Sequence, residues 1–364
     1  MRAWRIEAHG GPESVKCLEL PTPEPGPQEV RVRVRAFGLN HMDLWVRKGV
    51  PGHTFPLPLI PGCDIAGEVD SLGPDSEKLF KSAGFMGLKI GSRVIVNPTL
   101  SCGVCESCLR GLQPICRSFG MLGEHRDGGA ADFVVVPASN IIPLPDAISF
   151  EAAAALAVPF VTAWTMLVEK AKVRAGETVL IQAGGSGVSV AAIQIAKLLG
   201  AVVVTTVGSE SKIEGAKKLG ADFVINYKVG PFREQLKAWL KARSVAGVGD
   251  AGVDVVIEHV GGVTFEESLK VLNWGGRLVL CGATSGADVK VNLKPLFFKN
   301  ISILGSTMGS KADLFRIVKL VEQKKLIPVI DSVYEFSDYL KATERLESRE
   351  AFGKVIVKKG TVVI

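Results

Sequence analysis

Hydrophobic residues along this chain change rhythm once, and the change predicts two kinds of sheet. Over residues 29–38, EVRVRVRAFG, apolar and basic positions alternate. Val30, Val32 and Val34 would face one way and Arg31, Arg33 and Arg35 the other, the pattern of a half-exposed antiparallel strand. From Thr178 onward the strands are short continuous apolar runs, as in a parallel sheet covered on both faces. TVLIQ at 178–182, VVVTTV at 202–207, DVVIE at 254–258 and RLVLC at 277–281 are such runs, each followed by a loop of small residues.

The stretch 178–200 organises the rest. Thr178 to Gln182 predicts a strand, and Ala183-Gly184-Gly185-Ser186-Gly187 a tight turn. Val188 to Leu199 carries apolar residues at helical spacing, and Gly200 stops it. Strand, small-residue turn and helix open a nucleotide-binding βαβ unit. Small residues let the backbone approach a pyrophosphate, and the free N–H groups of the helix start favour its charge. Gly184, Gly185, Ser186, Gly187 and Val188 are therefore candidate cofactor contacts, joined by Val260, Cys281 and Gly282 in the loops after later strands. The fingerprint G-x-G-x-x-G is degenerate, with Gly184, Ser186 and Ser189 at its three positions. A turn that binds nothing is the competing reading, and the series of strand-then-glycine units weighs against it.

Elsewhere, PTPEPGP at 21–27 forbids regular structure, HMDLWVRKGV at 41–50 reads as a short helix, and 74–91 as a polar, glycine-rich connection. Residues 151–173 are helical by composition, with a break expected at Pro159. KADLFRIVKLVEQKKL at 311–326 is an amphipathic helix, and FGKVIVKK at 352–359 a strand expected to return to the first domain. The predicted domains are 1–155, 156–310 for nucleotide binding, and 311–364 as the returning helix and strand.

Composition narrows the class. A chain of 364 residues suits two domains, and 47% hydrophobic with 22% charged residues is ordinary for a soluble enzyme. The net charge of +6 is spread without a basic run, which argues against nucleic acid as a partner. No apolar run reaches the roughly 18 residues of a membrane helix, and MRAWRIEAHGG lacks the apolar core of a signal peptide. A cytoplasmic location and no membrane partner are expected.

Of the seven cysteines, four crowd into the loop 101–117 with the spacing Cys102-x2-Cys105-x2-Cys108-x7-Cys116. Four thiolates on a short loop make a closed tetrahedral site, the pattern of structural zinc, and predict one zinc per subunit. An Fe–S cluster uses the same number of cysteines, and four free thiols are the plain alternative. A closed site leaves no position for substrate.

GLNHMD at 38–43, PGCDIAGEV at 61–69, the cysteine quartet, VTAW at 161–164, AGGSGVSVAAIQIAK at 183–197 and FGKVIV at 352–357 occur in this order. Together they resemble the medium-chain dehydrogenase/reductase superfamily of zinc alcohol dehydrogenases and quinone oxidoreductases. The resemblance implies an α/β fold: a Rossmann doubly wound parallel sheet plus a GroES-like antiparallel β domain completed by the C-terminus. It implies hydride transfer between a nicotinamide and a small-molecule carbonyl or activated C=C. A homodimer or homotetramer is also implied, with ISILGSTM at 301–308 as the pairing edge.

The departures from the catalytic-zinc branch set the chemistry expected. The first-ligand position is Asn40, the G-H-E motif is Gly62-Cys63-Asp64, and the third ligand falls at about Val158. These are too few for the three protein ligands of a catalytic zinc. Cys63 and Asp64 are left as an unorthodox donor set, or as a core thiol and a loop cap. Asn40 resembles the zinc-free quinone and enoyl reductases, where hydrogen bonds polarise the carbonyl. His41 is placed as a phosphate contact or proton relay, Asp43 as a helix cap, and Thr162 in VTAW as a nicotinamide contact. Glu124 and His125 resemble a loop that lines the substrate site in some enoyl-thioester reductases, or are simply solvated. Ser209, Lys212 and Tyr227 resemble the 2′-phosphate binders of quinone reductases, which predicts NADP(H) over NAD(H). Lys354 is a further anion contact, or an exposed strand lysine.

The function expected is an NADP(H)-dependent oxidoreductase acting on an activated C=C or a quinone-like carbonyl. The alternatives are a zinc-containing alcohol or aldehyde dehydrogenase, and a nucleotide-binding protein without catalysis.

Overall fold

A computed structural model describes residues 1–82, 84–85, 87–243 and 252–360. The chain divides into two compact units, Met1–Val158 with Ser310–Ile364, and Pro159–Gly309.

The first unit is built on a sheet in the order Ile330–Glu335, Lys354–Lys358, Glu29–Gly38, Asp64–Leu72, Arg93–Val96, Ile141–Pro143, with Phe133–Pro137 also paired to Glu29–Gly38. Its pairs are antiparallel apart from Ile330–Glu335 with Lys354–Lys358. The alternation of the long strand sets its faces. Val30, Val32 and Val34 are buried in the core. Arg31 and Arg33 both reach Asp70 at 2.7 Å, and Arg35 reaches Glu68 at 2.7 Å, on the neighbouring strand. The end of the chain pairs here, with Ile356 opposite Gly38 and the Leu39 N–H donating to Val355 O at 2.9 Å. That register carries Lys354 to the segment 38–40.

The connection 74–91 contains a helix, Ser76–Ser82. Phe80 and Leu88 from it are buried in the first unit's core, and the Ser76 hydroxyl donates to Glu29 O at 2.8 Å. The expected break at Pro159 is displaced. A one-turn helix Phe150–Ala153 ends first, and Pro159 lies inside the next helix, Ala157–Trp164. In the first turn of a helix an amide N–H has no intrahelical acceptor, so proline loses no bond there.

The second unit is a parallel six-stranded sheet in the order Phe223–Asn226, Val202–Val207, Thr178–Ile181, Val253–Glu258, Leu272–Leu280, Ser302–Gly305. Leu180, Val204, Val256 and Leu278 are fully buried, as continuous apolar strands require. Chain order reverses between Thr178–Ile181 and Val253–Glu258, the switch point where such sheets bind ligands. Among the described residues no helix is long and apolar enough to cross a membrane.

Candidate functional site

The turn after Thr178–Ile181 is shaped by contact. A Cβ on Gly184 would stand 2.3 Å from Thr205 Oγ1, so only glycine fits against the neighbouring strand. Ser186 caps the helix Gly187–Leu198, its hydroxyl accepting from the Ser189 N–H at 3.1 Å. Ser189 is fully buried and donates to Gln182 O at 2.7 Å. The two serines that break the glycine fingerprint thus tie the helix start to its strand. Gly185 is buried in this turn, and Val188 on the first helical turn is half-buried.

His259 is a residue that motif reading missed. Its Nε2 lies 2.8 Å from Ser189 Oγ and 3.2 Å from Ser186 Oγ. It follows the strand Val253–Glu258 at the switch point, and that position was the available signal. Glu258 beside it is buried, and burial raises its pKa against bonds from the Val260 N–H at 2.6 Å, the Gly261 N–H at 3.1 Å and the Ser268 hydroxyl at 3.0 Å. Those bonds fix the loop that carries Val260. The Cys281 thiol is pushed up to about 12, first by burial and then by Glu258, which makes it inert. Gly282 lies in ordinary contact with His259 O, 3.5 Å from where its Cβ would be.

At the other end of the turn, Tyr227 lies over Gly208, where a Cβ would meet the phenol oxygen at 2.3 Å. Ser209 leads the short turn Glu210–Lys212, with its hydroxyl 3.0 Å from that of Ser211. Ser209, Lys212 and Tyr227 are thereby gathered at the ends of two adjacent strands. Thr162 is 5% exposed, and its hydroxyl makes a weak 3.7 Å contact with Met308 Sδ. Backward bonding to a helix carbonyl belongs to Thr165 instead, at 2.9 Å to Val161 O.

In the first unit, the three positions aligned with catalytic-zinc ligands meet around a buried ion pair. Lys354 Nζ donates to Leu39 O at 2.6 Å, Asn40 Oδ1 at 2.7 Å and Asp64 Oδ2 at 2.8 Å, which uses all three of its hydrogens. Asn40 Nδ2 donates to Asp64 Oδ2 at 2.9 Å and lies 3.2 Å from Cys63 Sγ. Asp64 Oδ1 accepts from the Val158 N–H at 2.6 Å. Lys354 is therefore a buried strut rather than an exposed strand lysine. Gly38 packs between it and the segment bearing Ala154, since a Cβ there would stand 3.0 Å from Lys354 Cε and 2.2 Å from Ala154 O.

This donor set does not fit a divalent metal. Cys63 is fully buried, and burial, then Asp64 and Asp43, hold its thiol well above the ordinary range. The charge of Asp64 is already met by an ammonium. Asn40 has both amide hydrogens committed, so it has none left for a substrate carbonyl. Next to it, Asp43 accepts from the Asn40 N–H at 2.7 Å and the Gly62 N–H at 2.9 Å, capping the helix His41–Lys48. Burial nevertheless pushes its carboxyl up to about 6. Half-buried His41 is held below its ordinary value by burial, then by Arg349 and Lys354. It is therefore neutral near pH 7.

The cysteine quartet has the geometry of a metal site. Cys102 Sγ lies 3.6 Å from Cys116 Sγ and 3.9 Å from Cys108 Sγ, and Cys105 Sγ lies 3.8 Å from Cys116 Sγ. A tetrahedron with Zn–S bonds of about 2.3 Å has edges of about 3.8 Å. The N–H groups of Val104 and Cys105 pull the Cys102 thiol down to about 6, toward the thiolate a metal needs. Glu124 and His125 sit on the turn after Met121, beside His53, which the sequence did not single out.

A parallel nucleotide-type sheet, an antiparallel β unit and a four-thiol lobe in one chain are shared with known oxidoreductases. Residues 26–146 match the family described as alcohol dehydrogenase GroES-like domain, and 187–323 the family described as zinc-binding dehydrogenase. The quinone oxidoreductase of Rattus norvegicus is 30% identical over 98% of this chain and 97% of its own. A solved NAD-dependent alcohol dehydrogenase is 45% identical, covers 99% of this chain and 100% of its own, and superposes with a TM-score of 0.90. The quinone oxidoreductase of Thermus thermophilus, solved also with NADPH, is 29% identical over 98% of this chain and 100% of its own, with a TM-score of 0.72. The chain belongs to the medium-chain dehydrogenase/reductase superfamily of oxidoreductases, which includes alcohol dehydrogenases and quinone oxidoreductases.

Proposed function

We propose that this oxidoreductase uses NADP(H) to reduce an activated C=C or a quinone-like carbonyl, with no metal at the reacting oxygen. The observation that carries the proposal is the Lys354–Asp64–Asn40 cluster, which occupies with an internal ion pair the positions a Lewis-acid site would need. When bound, NADPH would supply a hydride, two electrons and one proton, to an electrophilic substrate carbon, and the displaced π pair would be left on the substrate oxygen, to be matched by a proton from a donor or from water. The neutral ring of His41 and the weakly held hydroxyl of Thr162 are the donors proposed to steady that oxygen and the nicotinamide. Asn40 acts as a positioning residue through Lys354 and Asp64.

Gly184–Val188, with the loops bearing Val260, Cys281 and Gly282, is the proposed pyrophosphate and nicotinamide-ribose cradle, and the space closed to any Cβ at Gly184 supports it. Ser209, Lys212 and Tyr227 are proposed to hold the 2′-phosphate, and the complex of the Thermus thermophilus relative with NADPH supports this choice. Cys102, Cys105, Cys108 and Cys116 are proposed to hold one structural zinc, which gives the lobe a fixed shape and takes no part in the reaction. A cytoplasmic homo-oligomer is the proposed form, paired through the sheet-edge strand Ser302–Gly305, on which Ile303 is exposed.

A second reading, an NAD-dependent alcohol or aldehyde dehydrogenase, is favoured by the description of the 45% identical structure. Cofactor affinities and turnover separate the two. The first reading expects tighter NADPH than NADH, and NADPH oxidation by an enone or quinone that survives Cys63→Ala. Tighter NADH, with alcohol oxidation abolished by Cys63→Ala, would overturn it.

A further inference from the structure

Two histidines and one carboxylate outside the Asn40 cluster face one another on separate loops of the first unit. His53 Nε2 lies 3.7 Å from Glu124 Oε1, and His125 Nδ1 lies 3.7 Å from Glu124 Oε2. One ligand atom from each residue falls within 4.8 Å of the others. The two 3.7 Å separations are too long for hydrogen bonds and close to the spacing of atoms sharing an ion. Zn–N bonds of about 2.0–2.1 Å place tetrahedral neighbours about 3.4 Å apart.

The charge balance points the same way. The Glu124 side chain is only 19% exposed, and the basic side chains within ion-pair distance of it among the described residues are these two imidazoles. No lysine or arginine among the described residues meets it there, although this chain pairs most of its half-buried carboxylates that way. The ligands also stand on braced loops. The His53 ring packs at 4.4 Å on Phe55, and the His53 backbone N–H donates to Val50 O at 3.0 Å. The Glu124–His125 turn is fixed by the N–H groups of both residues on Met121 O, at 3.3 and 2.9 Å, and by Asp127, which accepts from the Ile60 N–H at 2.9 Å. One contact competes: the Met121 N–H donates to His125 Nδ1 at 3.3 Å, a long bond that coordination would replace or that would leave Nε2 as the ligand atom.

We propose that His53, Glu124 and His125 bind a first-row divalent transition metal, zinc or cobalt by donor type, with at least one coordination position open. Two imidazoles and one carboxylate suit such ions and not calcium or magnesium, which prefer all-oxygen shells. The site is separate from the thiol quartet and from the Asn40 cluster, and it links the loop 50–55 to the turn 121–127.

The test is titration of Co²⁺ into full-length protein whose thiol site is already loaded with zinc, followed by optical absorption and calorimetry. The expected result is one further equivalent per chain, with ligand-field bands and no thiolate-to-cobalt charge transfer. His53→Ala and Glu124→Gln should each weaken it at least about 100-fold, beyond what loss of an outer-shell partner costs. Unfolding midpoints measured without added metal show whether the variants fold, and added Zn²⁺ should raise the midpoint of the parent alone. A second equivalent that persists in the combined His53→Ala, Glu124→Gln, His125→Ala variant overturns the proposal. So does the absence of any second equivalent, which leaves the three side chains as a charge cluster only.

Discussion

Lys354 Nζ lies 2.8 Å from Asp64 Oδ2, with the lysine 4% exposed and the aspartate wholly buried. The two are far apart in the chain and meet because the last strand pairs beside Gly38. A buried pair of this kind is weak evidence for stability in itself, since both ions lose their hydration. Its consequence is that removing one partner strands the other.

Lys354→Met should therefore destabilise the protein by about 3–5 kcal/mol, because Asp64 and Asn40 Oδ1 lose their donor in a dry site. Adding Asp64→Leu removes the stranded charge and should recover much of that loss. Denaturant unfolding of the parent, the single and the double variant checks it. A double variant no more stable than Lys354→Met would show that the charge is not what matters.

Asp43 gives the stability a pH slope of a definite sign. Its carboxyl stands near 6 in the folded chain against an ordinary 3.8, so the folded state holds the proton more tightly than the unfolded one. The stability linked to that proton is full below about pH 4 and is lost as pH rises through about 6. By linkage it amounts to on the order of 3 kcal/mol. Asp43→Asn should lower stability overall, since it keeps one of two acceptors, and should flatten this window. Unfolding free energies at several pH values between about 4 and 7, compared between parent and variant, measure the slope directly, and equal slopes would refute the assignment.

Much of this was legible in the sequence, for reasons that differ by element. The Val-Arg alternation of 29–38 and the continuous apolar runs from Thr178 express strand faces directly, so both sheets could be read. The cysteine spacing carried its own geometry. The fate of Lys354 was not legible, because its partners Asn40 and Asp64 are hundreds of residues away and only strand pairing brings them together. The same holds for Asn40 as a carbonyl donor: its residue type suggested free hydrogens, and packing used them. His259 and His53 lie in no motif, and their roles depend on which loops the fold places beside them. The segment 74–91 read as a connection because its helix, Ser76–Ser82, is too short to show a period.

The quartet yields a prediction about metal loss. Cys102 and Cys105 are at the rim of the lobe, whereas Cys108 and Cys116 are buried in it. Cys108→Ser should abolish tight zinc binding at the lobe and lower the unfolding midpoint, because binding energy at a structural site is folding energy. The activity of the fraction still folded should remain, since a closed site offers no position to substrate. Metal content of the thiol site, thermal unfolding and NADPH oxidation per folded chain check the three parts. Turnover that stops while the fold persists would place the lobe in the reaction.

The last prediction concerns the choice of cofactor. The strand Val202–Val207 runs into Gly208 and Ser209, and no carboxylate stands at Ser209, where an NAD-specific site would accept the two ribose hydroxyls. Glu210 comes one residue later, and its carboxylate is engaged at 3.4 Å by Asn226 Nδ2. The Lys212 ammonium and the hydroxyls of Ser209 and Tyr227 are the groups proposed to hold a 2′-phosphate there. A hydrogen bond to a charged group contributes about 1.5–3 kcal/mol, or roughly 10- to 150-fold in affinity. Lys212→Ala should thus weaken NADPH by that factor and leave NADH nearly unchanged, and Ser209→Asp should invert the preference by repelling the phosphate. Dissociation constants for both cofactors in the three proteins decide the matter. Equal weakening of NADH and NADPH in Lys212→Ala would mean that the lysine shapes the turn rather than binding the phosphate.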